Sequence, residues 1–257
     1  MIGFLIKKNF FDLWDNLFRL VLVNLGFIAS LSIPVLVPSL FQAVPALGVA
    51  VLVISCLWCC IYLSTAALTL KSISDYGSFG FSDFFGNLKT AWHAGLIFGG
   101  FLFLAYILCV VVIPFYFSMG TMAGLLLTAV VFWTLAAGIL AFQFFFAVRG
   151  RLATKLTSAI KKCFIIFFDN PMFCIFSFFY NLIILIISAF LAFMIPGPAA
   201  VLLFLDEGLR LRLLKYDWLE ANPEANRRKI PWDALLIDEQ EKTGSRSLKN
   251  FIFPWKD

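Results

Sequence analysis

The sequence predicts an all-α, polytopic membrane helix bundle: six transmembrane helices forming three hairpins with amphipathic interfacial helices, and both termini in the cytoplasm. Three observations carry this. The chain of 257 residues is 62% hydrophobic and only 14% charged, with a mean hydropathy of +0.95, whereas soluble domains carry about 25% charged residues. Asp, Glu, Lys and Arg are missing from three blocks, 20–70, 90–148 and 170–205, each longer than the roughly 20 apolar residues that cross a bilayer. All Lys and Arg residues fall on one side of a six-span arrangement.

The first block holds two spans, 20–38 and 45–70, separated by Pro38 and Pro45; Pro punctuates helices because it lacks an N–H and fixes its own φ. The second divides around Pro114 and Gly120 into 94–114 and 121–148, with His93 ionisable at its edge. The fifth span, 171–194, opens on Pro171, where a missing N–H costs nothing, with Asp169 or Asn170 placed to cap it. The sixth, 198–214, is short in apolar length. After the turn at Pro196, Gly197 and Pro198, only eight uncharged residues, Pro198 to Leu205, precede Asp206, Glu207, Arg210 and Arg212, about 12 Å of helix at 1.5 Å per residue.

Charge bias favours crossing over a five-span chain whose basic tail would lie outside. With six spans the N-terminal segment carries three Lys and Arg, the connections after spans two and four carry two and five, and the tail carries ten, which together are all 20 in the chain. The turns on the other side carry none, so the positive-inside rule puts both ends in the cytoplasm. Lys7 and Lys8 precede the first apolar block, but Asp12, Asp15 and Arg19 intervene and no small-residue cleavage site follows a short apolar core, so the first span is expected to be retained.

Each pair of spans is preceded by an amphipathic stretch with a Phe pair, at 10–20, 81–94 and 152–168. In the second, Phe81, Phe84, Phe85, Leu88 and Trp92 recur at helical spacing while Asp83, Asn87 and Lys89 take another face. Such helices lie in the membrane interface. Turns about 75 to 80 residues apart make a tandem triplication a hypothesis. The transmembrane domain covers 1–216, and 217–257 form a charged cytoplasmic tail too short and polar for its own core. Two apolar patches in the tail, Ile230 to Leu236 and Phe251 to Trp255, leave two readings open, docking or partial disorder.

Several function classes lose support here. A net charge of +5 without a basic face interleaved with aromatics argues against nucleic acid. One histidine forbids a site of several His, and no zinc-protease, phosphate-loop or dinucleotide-binding spacing is present. No catalytic residue and no metal or other cofactor is expected, so the chain is not read as an enzyme. Cys56 and Cys59 form a C-x-x-C with Cys60 adjacent; in an apolar helix free Cys packs as a small hydrophobe.

Ionisable and amide side chains within the spans are the candidate intramembrane polar site: Asn24, Gln143, Asn181, Asp206 and Arg210. Asp206 and Arg210 stand four residues apart, the spacing of a pair on one helix face. The competing reading makes these charges interface markers with Arg210 and Arg212 snorkelling, and buried amides serve more often as cross-links between helices than as solute ligands.

Trp14 and Arg19 leading into Val23 and Asn24, Phe84 and Phe85 ahead of the third span, Asn170 and Pro171 opening the fifth, and the run Leu211 to Tyr216 closing the last resemble the YesL-like family of bacterial membrane proteins, a domain of unknown function (624). The resemblance covers about residues 10–216; the tail after Asp217 departs from the family pattern. It implies a six-span inner-membrane protein associated with sugar-uptake systems of the binding-protein-dependent ABC type. The expected function is thus a non-enzymatic accessory or assembly component of a transport system, in contact with the lipid bilayer and with ABC-type membrane subunits or further copies of itself. A small-solute carrier or channel is the alternative.

Overall fold

The computed structural model describes all residues except 42, 153, 154, 228, 245 and 247–257. Every regular element among the described residues is a helix. Five stretches are long and apolar enough to cross a membrane: Leu17–Phe41, Pro45–Ser74, Phe81–Ser118, Met122–Phe142 and Pro171–Phe190. The expected sixth segment is helical but is not among them.

Helix α1 (Ile2–Asp15) ends at Asn16, and α2 (Leu17–Leu36) begins immediately afterwards. Asn16 makes the break: its amide donates to the Asp12 carbonyl and accepts from Arg19, the local bonding by which Asn competes with helix continuation. Pro34 lies in the last turn of α2, and a 3₁₀ turn, Val37–Phe41, follows. Helix α3 (Pro45–Ser74) places its Pro at the first position, the one site where it fits without loss.

Helix α4 (Phe81–Ile107) starts where the Asp83 carboxylate accepts the Gly80 N–H at 2.8 Å. A π-helical turn, Leu108–Val112, joins it to α5 (Ile113–Ser118). That turn accommodates Pro114, whose ring would clash with the carbonyl four residues back in a regular α-helix. The amphipathic stretch 81–94 is therefore not a separate interfacial helix, as the sequence suggested, but the first half of a continuous one. No breaker separates Trp92 from Gly95. Here α4 lies tightly on α3: a Cβ on Gly95 would come within 2.5 Å of the Ile61 Cα, and Ser64 of α3 donates to the Ala91 carbonyl at 2.9 Å.

Helix α6 (Met122–Phe142) is capped by the Thr121 hydroxyl, which accepts the Gly124 N–H. It stops six residues short of the expected end at 148. Gln143 and Phe144 interrupt it, and α7 (Phe145–Leu152) follows with Phe144, Phe145 and Val148 fully buried. Helices α8 (Leu156–Asp169) and α9 (Pro171–Phe190) meet at Asn170. The expected side-chain cap on α9 does not form, because Asn170 turns instead toward α10 (Gly197–Ala221), where it donates to Tyr216 and accepts from Arg212 and Lys215. The span itself ends at Phe190 rather than at 194.

Helix α10 runs seven residues past the expected end at 214 and is the central element, packing on α1, α2, α3, α7 and α9. Leu203, Phe204, Glu207, Leu209 and Leu211 are fully buried along it. In the tail, α11 (Trp232–Leu235) and α12 (Ile237–Thr243) return to the bundle, with Leu236 buried in the main core. Of the two readings left open for the patch at 230–236, docking is the one observed; 251–255 lies outside the described residues.

Candidate functional site

The polar candidates separate into two groups. Asn24, rather more than a third of the way along α2, fastens the turn between α9 and α10. Its amide donates to the carbonyls of Met194 and Pro196, both at 2.9 Å, and accepts the Ala199 N–H at 3.0 Å. Gly197 lies so close that a Cβ there would sit 2.2 Å from Asn24 Nδ2, and its φ of +68° falls in the left-handed region that favours glycine. The Gly197 N–H donates to Ser188 of α9 at 2.9 Å. Asn24 thus satisfies groups that a helix start leaves open. Because Asn24 is seven residues into α2, this turn meets α2 about 10 Å from its first residue, not at its far end.

Gln143 also bonds backbone, donating to Leu140 and across to Cys174 of α9 at 2.9 Å. Asn181 is buried and its amide has no hydrogen-bond partner. The structure does not bring Asn24, Gln143 and Asn181 to one point with Asp206 and Arg210.

The proposed pairing of Asp206 with Arg210 is corrected. Asp206 pairs with Arg151 of α7, and Arg210 pairs with Asp75 beyond α3 and with Glu239 of α12, 2.7 Å away. An Asp and an Arg one turn apart on a helix project along the same face, but each found a partner on a different neighbour. Arg151 also binds Asp75 at 3.0 Å and Ser74 at 2.7 Å. Two guanidinium groups thus share one carboxylate, and α3, α7, α10 and α12 are joined through it.

A second cluster lies on the α1 side of α10, and only part of it was legible beforehand. Lys8 of α1 is fully buried, 2.5 Å from Asp12 and 4.0 Å from Glu207, with its ammonium 3.9 Å from the centre of the Tyr76 ring. Tyr76 donates to the Glu239 carboxylate at 2.8 Å, and burial pushes its phenol well above the ordinary range. The detectable sequence signal was Lys8 and Asp12 at i, i+4, on the face of α1 that also carries Leu5. Farther along, Lys215 binds Asp169 at 2.6 Å. Burial opposes the Asp169 charge, yet hydrogen bonds from Lys215 and Tyr216 and the lysine charge hold its carboxyl below the usual range.

The remaining candidates are structural in their surroundings. Cys59 donates to the Ser30 carbonyl and is buried with Cys60, while Cys56 is exposed. Burial pushes the Cys163 thiol of α8 up to about 12, out of the range of reactive thiols. No group of three or more His, Cys, Asp or Glu arranged to hold a metal occurs among the described residues. His93 lies tilted against Trp92, with ring centres 3.5 Å apart, at the exposed edge of α4.

Among the hollows between described helices, two have apolar walls. One, of about 420 Å³, lies between α2, α3 and the start of α4, with Arg19 among apolar walls that include Phe18, Trp58 and Phe85. The other, of about 460 Å³, lies between α1, α2, α9 and the α9–α10 turn, and its walls include Asn9, Asn24 and Tyr180. Both open among exposed large apolar side chains, Phe81 and Phe85 in the first and Trp14 and Leu17 in the second.

No family model matches the chain, and no curated protein or solved structure shows significant similarity to it. The described residues form an all-helical architecture with five helices long and apolar enough to cross a membrane.

Proposed function

We propose that this chain is a six-span inner-membrane subunit, built as three hairpins with both ends in the cytoplasm, that serves as a non-enzymatic accessory or assembly component of a transport complex of the sugar-uptake type. In this reading α10 is the sixth span and the resemblance to the YesL-like family reflects common descent. The observation that carries the reading is the use made of the amides within the spans. Asn24 and Gln143 spend their hydrogen-bonding capacity on backbone carbonyls and an N–H of neighbouring segments, the use expected of helix cross-links rather than of solute ligands. The long apolar faces of α4 to α6, with Phe103, Phe115, Phe117, Phe132 and Trp133 exposed, are available to lipid or to membrane subunits of a partner.

One observation favours the second reading, a carrier acting alone: Asn181 is buried within α9 with both amide atoms unpartnered, and polar groups inside spans mark solute pathways in transporters. Purification in native nanodiscs with mass spectrometry of everything retained separates the two. The accessory reading expects permease or ATPase subunits in stoichiometric amount. Recovery of the protein alone, together with solute flux in proteoliposomes that is lost in Asn181→Leu, would replace it with the carrier reading.

A further inference from the structure

We propose that Glu207 is a buried binding site for one proton, held between α1 and α10, and that this proton is what allows the two helices to close on each other. The site has four members. Glu207 of α10 is fully buried, and neither carboxylate oxygen has a well-formed hydrogen bond. Asp12 of α1 stands beside it. Lys8 gives its short contact to Asp12, at 2.5 Å, and remains 4.0 Å from Glu207. Asn9, next to Glu207 and itself fully buried, leaves both its amide nitrogen and its amide oxygen unpartnered.

Charge counting leads to the proton. The cluster holds one ammonium and two carboxylates, so with all three ionised it carries one negative charge in excess. Arg151 and Arg210 cannot supply the missing positive charge, because they are committed to Asp206, Asp75 and Glu239. The other titratable groups around the site are the phenols of Tyr180 on α9 and of Tyr76, whose ring lies against the Lys8 ammonium, and two cations of the tail: Lys242 of α12, 5.8 Å from the Tyr76 ring centre, and the half-exposed Arg246, which acts on Asp12 but is paired with Asp15. Among the described residues α2 and α3 contribute no charged group to it. An unpaired buried carboxylate is far more costly than a neutral carboxylic acid. A proton on Glu207 removes the excess charge and turns one of its oxygens into a donor for the Asp12 carboxylate, while the Asn9 amide has a carboxyl to bond.

Asn9 also stands in the wall of the 460 Å³ hollow, which includes the exposed Trp14 and Leu17 where α1 gives way to α2. The inference is independent of whether the protein is an accessory subunit or a carrier, since it concerns only the contact between α1 and α10.

The test is infrared difference spectroscopy of the full chain in nanodiscs, reading the carboxylic-acid C=O band near neutral pH with H/D exchange to identify it. The wild type is expected to show one protonated-carboxyl band that disappears on alkalinisation. Glu207→Gln should lack it, and should keep wild-type thermal stability because the amide mimics the protonated acid. Asp12→Asn is the discriminating variant: it balances Lys8 against Glu207, so Glu207 ionises and the band is lost although the residue is still present. Absence of the band in the wild type, its persistence in both variants, or collapse of Glu207→Gln would each overturn the proposal. So would stabilisation of the wild type by Na⁺ or K⁺ in place of a pH response, which would make the site one for a metal cation.

Discussion

Asn24 and Gly197 are locked together by mutual closeness: the amide that fastens the start of α10 occupies the space a side chain at position 197 would need. The contact joins residues 173 positions apart and sets where the turn between α9 and α10 meets α2. Gly197→Ala is expected to destabilise the bundle by about 2–4 kcal/mol, from left-handed strain of roughly 1–2 kcal/mol and the loss of hydrogen bonds worth about 1 kcal/mol each. Unfolding in mixed detergent micelles measures this. Asn24→Ala combined with Gly197→Ala should cost less than the two singles summed, since the collision is relieved; full additivity would show that the two residues do not meet.

Arg151 and Asp206 give an asymmetric prediction. Arg151→Met leaves the nearly buried Asp206 carboxylate without a cation, a loss of about 3–5 kcal/mol. Asp206→Asn leaves Arg151 still bound to Asp75 and Ser74, and is expected to cost less than half as much. Comparison of the two melting curves decides it; equal losses would contradict the shared-carboxylate arrangement.

The docked tail hangs on Glu239. Glu239→Gln weakens its bonds to Arg210 and Tyr76 together, so amide exchange over α11 and α12 should accelerate by about tenfold or more, a loss of at least about 1.4 kcal/mol of local protection. Exchange in α3 and α9 should stay unchanged. Unaltered protection in 232–243 would mean that the apolar contacts of Leu236 and Trp232 hold the tail without the ion pair.

Strong acid should weaken the junction of α8 and α10. The Asp169 carboxyl is held below the usual range, so its contribution to stability is complete above the ordinary aspartate value near 3.9 and is lost as pH falls through the lower folded value. Wild-type stability should therefore decline on acidification more steeply than that of Asp169→Asn, and the two curves should converge at the acid end. Parallel curves would show that Lys215 and Tyr216 do not stabilise the charge.

What was legible in the sequence follows the range of each interaction. Apolar length and Pro placement are local, and they located five membrane-length helices with ends displaced by several residues. One displaced end has a local cause, the π turn that absorbs Pro114 so that α4 runs on; another does not, since Gln143 at the end of α6 bonds Cys174 of α9. Asn24 was identifiable as a polar residue in an apolar span. Its partners were not, because they belong to a turn far away in the chain. Arg151 looked like one more cytoplasmic charge, and only the packing of α7 on α10 brings it to Asp206. Lys8 and Asp12 stood at pairing distance, but nothing local marks that face of α1 as buried against Glu207.

Charge bias does not by itself establish that α10 crosses, since α9 and α10 entering and leaving by the same face would also keep every Lys and Arg on the cytoplasmic side. The Asn24 clamp, about 10 Å along α2, makes this the decisive point. The measurement is membrane-impermeant thiol labelling of single cysteines in a background lacking the six native ones, placed at Gly3, Met119, Phe193 and Ala225. The six-span account predicts that positions 119 and 193 label only from outside and positions 3 and 225 only from the cytoplasm. Labelling of 119 from outside with 193 reached only from the cytoplasmic side would contradict it and make α9 and α10 a re-entrant pair.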